Sequence, residues 1–151
     1  PVTLHFAQYL EELLMFFEVE LSQEDKEIEV IRDFTETHFE VEIDPEKLQQ
    51  VLLNFLQNSA QAIEKTGFVR MALRQENGDA VIEIQDNGVG MDEETQNQLF
   101  KPFFTKKEQG SGLGMAIAKK IIDLHHGEIK LRSELQVGTL FEIRLKGVVH
   151  G

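Results

Sequence analysis

The sequence predicts an α+β fold. It is a two-layer α/β sandwich: a mixed, mostly antiparallel sheet of about five strands, covered on one face by about three helices. Three observations lead there. Strand-like runs arrive in pairs, whereas a doubly wound sheet would alternate them with helices. Asn77-Gly78 joins two of these runs through the commonest short hairpin signal. And 151 residues at 41% hydrophobic, with 11 Phe, suit one domain with a real core.

Each element follows in order. Phe6, Leu10, Leu13, Leu14, Phe17 and Leu21 recur near helical spacing, so residues 4–21 read as an amphipathic helix. Residues 28–31 and 39–43 read as two short strands. Asp44-Pro45 is an N-cap followed by a first-turn proline, opening a helix expected to run to about Lys65 and stop at Gly67. Residues 68–75 and 80–85 form the hairpin. A glycine-bearing loop, Asn87–Met91, leads to a short helix capped near Asp92. Residues 100–113 mix aromatics, lysines and glycines without a clean period. A helix then runs to about His125, stopped by Gly127, and strands near 128–134 and 139–146 follow.

Charge and composition narrow the function. The 27 Asp/Glu against 15 Lys/Arg give a net charge of −12, which argues against a nucleic-acid binder. Residues 1–50 carry −11 of it, whereas residues 100–120 carry +4, a basic island suited either to a solvated loop or to a small anion. With zero Cys there is no disulfide, thiol nucleophile or cysteine zinc site, which fits a cytoplasmic protein. No apolar run approaches the roughly 18 residues of a membrane span, so no membrane contact is expected of this chain. It opens on Pro1 rather than Met, the mark of a cut fragment or a processed product.

Three constellations carry chemistry. Asn54, Asn58 and Gln61 share one helix face, either as an exposed polar stripe or as neutral oxygen ligands suited to Mg²⁺ that also holds phosphates. Asp86 continues the apolar face of Ile82 and Ile84 into a glycine turn. It either caps an Asx-type turn or accepts from a planar amine such as adenine N6, with Gly88 and Gly90 letting backbone approach a flat ring. Gly110-Ser-Gly112-Leu113-Gly114 opens a helix, whose free N–H groups attract phosphate. Beside Lys106 and Lys107, it suggests a flap over phosphates.

In this order the motifs resemble the catalytic, ATP-binding domain of bacterial sensor histidine kinases, within the gyrase, Hsp90, histidine kinase and MutL superfamily. Gln50-Val-Leu-Leu-Asn54-Phe-Leu-Gln-Asn58-Ser-Ala resembles the N box, and Asp86-Asn-Gly88-Val-Gly90-Met the G1 box. Leu99-Phe100-Lys-Pro-Phe103-Phe104-Thr105-Lys-Lys107 resembles the F box in its nitrogen-regulation-type form, and Gly110–Ile117 the G2 box. Val137-Gly138-Thr139-Leu-Phe141 matches the last glycine-threonine element. The likeness covers essentially the whole chain, residues 1–151, as a single domain.

The resemblance implies a Bergerat-type ATP-binding fold with ATP and Mg²⁺ as ligands. Asn58 would bind the Mg²⁺ that bridges the ATP phosphates, with Asn54 supporting it. Asp86 would hold the adenine amino group, while Gly88, Gly90 and Thr139 shape its pocket. Lys107 and the backbone of Gly110, Gly112, Leu113 and Gly114 would approach the phosphates from a lid, roughly residues 105–113. Two positions depart from the family: Gln61 stands where many members have Lys or Arg, and Lys106 replaces a common Thr.

The resemblance also bears on reaction type. Hydrolysing branches place a Glu four residues before the magnesium Asn, as a general base; here that position is Asn54, which cannot take a proton. Transfer to a neutral imidazole, whose lone pair is already available, makes less demand for such a base, which favours a histidine kinase. No histidine here has the family's acceptor context: His5 and His38 precede Phe, His125 precedes His126, and His126 and His150 precede Gly. Adjacent His125 and His126 point in different directions and read as structural. The phosphoacceptor histidine is therefore expected on a separate dimerisation domain, with a response regulator as further partner and a homodimeric parent. The alternatives are a nucleotide-sensing or partner-binding module of the same fold, or an ATP hydrolase.

Overall fold

A computed structural model describes residues 2–34, 40–102 and 114–146. Its elements run β1 (Val2–His5), α1 (Phe6–Leu21), β2 (Glu27–Phe34), β3 (Glu40–Ile43), α2 (Pro45–Ala62), β4 (Thr66–Glu76), β5 (Asp79–Asp86), α3 (Glu93–Gln98), α4 (Gly114–Leu124), β6 (Glu128–Glu134) and β7 (Gly138–Leu145). Five strands form the main sheet in the order β2-β4-β5-β7-β6. The β2–β4 pair is parallel and the other three pairings are antiparallel. The predicted mixed, mostly antiparallel sandwich is the fold observed.

Register decides which side chains meet the helices. Met71 pairs with Ile84, Ile84 with Phe141, and Phe141 with Leu131, so one face of the sheet is an apolar band. Against it pack Leu10, Leu14 and Phe17 of α1, Leu52, Phe55 and Leu56 of α2, and Ala118 and Ile122 of α4, all buried. The Phe55 and Phe141 rings meet at 4.6 Å between centroids, tilted by 57°. Asn77 and Gly78 turn the β4–β5 hairpin with φ of 53° and 84°, both positive as the two-residue turn requires.

The opposite face carries a lattice of ion pairs. Arg70 bridges Asp33 and Glu83, while Arg74 bridges Glu83, Glu142 and Glu76. Arg144 pairs with Glu76 and Asp79. Val81 lies between Arg74 and Arg144 in register and is fully buried, shielded by their aliphatic stems.

Several boundaries differ from the sequence reading: β2 runs Glu27–Phe34 where residues 28–31 are expected, the hairpin strands are longer than expected, and two helix ends shift. Residues 2–5, the first two of them ahead of the expected helix and the last two inside it, form β1, which pairs antiparallel with β3 in a separate two-stranded ribbon. That pairing joins segments some 38 residues apart, which local periodicity does not record. The expected helix to Lys65 ends at Ala62, because Ile63 leaves it at φ −92°, ψ 121° to bury its side chain. Lys26 Nζ donates to the Ala60 carbonyl (3.0 Å), and Glu27 N donates to Lys65 O (2.7 Å), starting the parallel pairing. Gly67 accordingly lies inside β4, not at a helix stop.

Candidate nucleotide site

The site candidates gather where the end of α2, the loop after β5, the β6–β7 turn and the start of α4 meet. Asp44 caps α2, its carboxylate accepting from Glu46 N (3.0 Å) and Lys47 N (3.3 Å), with Pro45 at the first position. Leu48, Val51, Leu52, Phe55 and Leu56 then anchor the helix in the core. That burial turns the amide stripe sideways: Asn54 and Asn58 are half-buried and Gln61 is exposed. Asn54 Nδ2 donates to the Gly114 carbonyl at 3.0 Å, tying the N-box helix to the first residue of α4, 60 positions away. The stripe is therefore only in part a solvated surface.

Asp86 ends β5 on the apolar face and is 2% exposed. The Asx-type turn reading is found, since its Oδ1 accepts from Gly88 N (2.8 Å) while the residue stays in the interior. The loop that follows is clamped from two sides: Val89 N donates to Ala62 O (2.9 Å), and Gln136 N donates to Val89 O (2.7 Å). Gly88 and Gly90 are needed for these contacts. A Cβ on Gly88 would meet Ala62 O at 2.5 Å, and one on Gly90, at φ +72°, would meet Glu134 O at 2.1 Å. The room a side chain would need is already taken by protein.

Thr139 is 4% exposed and faces Asp86 in the β5–β7 register. Its hydroxyl lies 2.7 Å from Ser133 Oγ, which also accepts from Met91 N (2.8 Å) and donates to Gly138 O (3.0 Å). Either hydroxyl of the Ser133–Thr139 pair can be the donor. Gln96 of α3 closes the network, its Nε2 donating to Met91 O (2.9 Å) and Ser133 O (3.1 Å). Sequence reasoning missed Ser133 and Gln96; the inward alternation Ile129, Leu131, Ser133 was the available signal for the first.

A depression of about 270 Å³ opens nearby, bordered by Asp86 and Thr139 but also by Gln85, Arg132 and Leu140 of the open sheet face. Ser133, Glu134, Val137 and Gly138 of the β6–β7 turn complete its lining. Of the F box, Leu99 is buried and Phe100 half-buried against the core. Lys106, Lys107, Gly110, Gly112, Leu113 and the lid lie outside the described residues, as do Phe103, Phe104 and Thr105. Among the described residues, no group of three or more His, Cys, Asp or Glu is placed to hold a metal ion, and no helix is long and apolar enough to cross a membrane.

The structure thus sets one buried carboxylate at a strand end and a helix carrying half-buried amides in the contact between α2 and β5. Residues 43–148 match the histidine kinase-, DNA gyrase B-, and HSP90-like ATPase family, and the chain belongs to it. It is 42% identical over 106 residues to the signal transduction histidine-protein kinase AtoS of Escherichia coli, covering 70% of this chain and 17% of that protein. It is 38% identical over 102 residues to sporulation kinase C of Bacillus subtilis, covering 68% and 24%. The chain thus spans a quarter or less of these relatives. Its fold superposes on the nucleotide-free catalytic domain of histidine kinase ThkA with a TM-score of 0.85 at 27% identity, covering 96% of this chain and 94% of that one.

Proposed function

We propose that residues 1–151 are a single catalytic, ATP-binding domain of a two-component sensor histidine kinase. The domain binds Mg-ATP and passes the γ-phosphoryl group to a histidine on a separate dimerisation and phosphoacceptor domain, from which a response regulator takes it. The observation that supports the reading is the family match over residues 43–148, within which Asn54 of the amide helix is tied to Gly114 at the start of α4 and Asp86 is buried at the end of β5.

In this reading Asp86 accepts an N–H from the adenine amino group, with Thr139 and the glycine loop shaping the pocket. Asn54 holds the start of α4, and the Lys107 and Gly110–Gly114 segment follows the phosphates. The donor set suits magnesium: with no cluster of carboxylates among the described residues, the Asn58 amide would share the ion with phosphate oxygens and water. When bound, the ion neutralises charge on the phosphates; this chain's part is to position and orient. The acceptor imidazole lone pair forms the new P–N bond as the bond to the bridging oxygen breaks and its electrons leave with ADP. Asn54 speaks against hydrolysis, because its amide is committed to Gly114 O and supplies no base for water.

The chain should bind ATP with Mg²⁺ yet form no phosphohistidine alone. Mixed with its phosphoacceptor domain and labelled ATP, it should yield acid-labile, base-stable phosphohistidine. No label in that mixture, with ATP binding intact, would sink the kinase reading. Asn58→Ala tests the nucleotide-sensing alternative, which gains if partner signalling survives the loss of Mg-ATP binding.

A further inference from the structure

Helix α3 buries little of itself. Of its six residues, Glu93–Gln98, only Thr95 is buried, and Glu93, Glu94 and Asn97 are exposed. A helix this short has no stability of its own. Its cap is local: Asp92 Oδ1 accepts from Thr95 N (2.7 Å) and Asp92 O from Gln96 N (3.0 Å), which shapes the first turn without fixing where it sits. Apolar contacts come from its flanks, Met91 before it and Leu99 and Phe100 after it. Such contacts are non-directional and leave the helix free to turn and slide.

Gln96 supplies the direction. Its Nε2 donates to Met91 O (2.9 Å) and to Ser133 O (3.1 Å) on β6, an edge strand of the sheet. Both protons of one amide are thus spent on carbonyls more than 40 positions apart. Ser133 Oγ in turn accepts from Met91 N (2.8 Å) and lies 2.7 Å from Thr139 Oγ1. Helix, glycine loop and edge strand are tied at one point. From α3 the chain passes through buried Leu99 and half-buried Phe100 toward Lys107, and it reaches α4 at Gly114. Asn54 fixes that far end through Gly114 O (3.0 Å), and Gln96 fixes the near one.

We propose that Gln96 is a positioning residue for phosphoryl transfer: its amide sets where the chain leaves α3 toward the phosphates, as Asn54 sets where it rejoins the fold. The inference rests on the kinase reading above. The adenine side does not depend on it. Val89 N to Ala62 O, Gln136 N to Val89 O and Gly88 N to Asp86 Oδ1 hold the glycine loop without passing through Gln96. Loss of the amide should therefore slow transfer from bound ATP and leave ATP binding nearly intact.

The test reads ATP affinity by calorimetric titration, and transfer as the rate of phosphohistidine formation on the phosphoacceptor domain at saturating labelled ATP. Both are measured well below every variant's melting transition. Gln96→Met keeps the side chain's length and loses both donors; Gln96→Glu also sets a carboxylate against two carbonyl oxygens. Transfer should fall about 10-fold in Gln96→Met and further in Gln96→Glu, with ATP affinity within about threefold of wild type in both. Asn97→Asp, the same amide-to-acid change at an exposed neighbour, should transfer at the wild-type rate. A Gln96→Met that transfers like wild type, or whose ATP affinity falls as far as its rate, overturns the positioning role and leaves the kinase reading standing. A wild type that forms no phosphohistidine overturns the kinase reading itself.

Discussion

Gly138→Ala should cost the protein both stability and nucleotide affinity. Gly138 opens β7 at φ +141°, a region that side chains rarely adopt. A Cβ there would stand 2.0 Å from Asp86 O and 3.0 Å from both Asp86 C and Asn87 Cα. All three are backbone atoms, so no rotamer change relieves the overlap, and β5 must part from β7 beside the Asp86–Thr139 pair. Backbone strain contributes about 1–3 kcal/mol and forced overpacking about 1–3 kcal/mol. The sum, about 2–6 kcal/mol, is a large part of an ordinary domain's 5–15 kcal/mol. Gly78→Ala is the control: its φ is +84°, but nothing lies within 4 Å, so only the strain of about 1–2 kcal/mol applies. Urea unfolding followed by far-UV circular dichroism measures both, and ATP titration of each variant measures the site. Equal losses in the two variants would refute the overlap argument, as would a destabilised Gly138→Ala that binds ATP like wild type.

Two further outcomes follow from the geometry. Asn54→Ala should leave the Gly114 carbonyl without its donor and loosen the start of α4, costing about 1–2 kcal/mol in thermal unfolding and several-fold in ATP affinity; unchanged protection of the α4 amides in hydrogen exchange would count against it. Tyr9 donates to Pro45 O (2.6 Å), and burial, aided by the nearby Asp44 carboxylate, pushes its phenol up to about 12. A folded value above the unfolded one means this stabilisation is complete below pH 10 and is lost as pH rises from 10 toward 12. Unfolding midpoints scanned across that range should fall more steeply for wild type than for Tyr9→Phe, and parallel curves would remove Tyr9 as the cause.

Much of the site could be read in the chain because it is built from local rules. The Asp44-Pro45 cap, the spacing of Leu48, Leu52 and Phe55, and the Asn77-Gly78 turn each act within a few residues, and each is found where expected. Asp86 was legible for the same reason: strand alternation alone carries it inward after Ile82 and Ile84. What escaped notice was long-range. The β1–β3 ribbon joins segments about 38 positions apart, and the Ser133–Thr139–Met91 hydrogen bonds depend on β6 lying beside β7 at one register.

The two-layer α+β class, the buried acid and the amide-bearing helix were thus determined by sequence, since periodicity, capping and side-chain chemistry are local properties. Tertiary structure decided the rest. It made Gly88 and Gly90 obligatory through the carbonyls of Ala62 and Glu134, and joined Asn54 to Gly114. It also set the Ser59 hydroxyl wholly in the core. Those outcomes depend on which backbone atoms are brought within 3 Å of one another, and that is settled only when the sheet and helices pack.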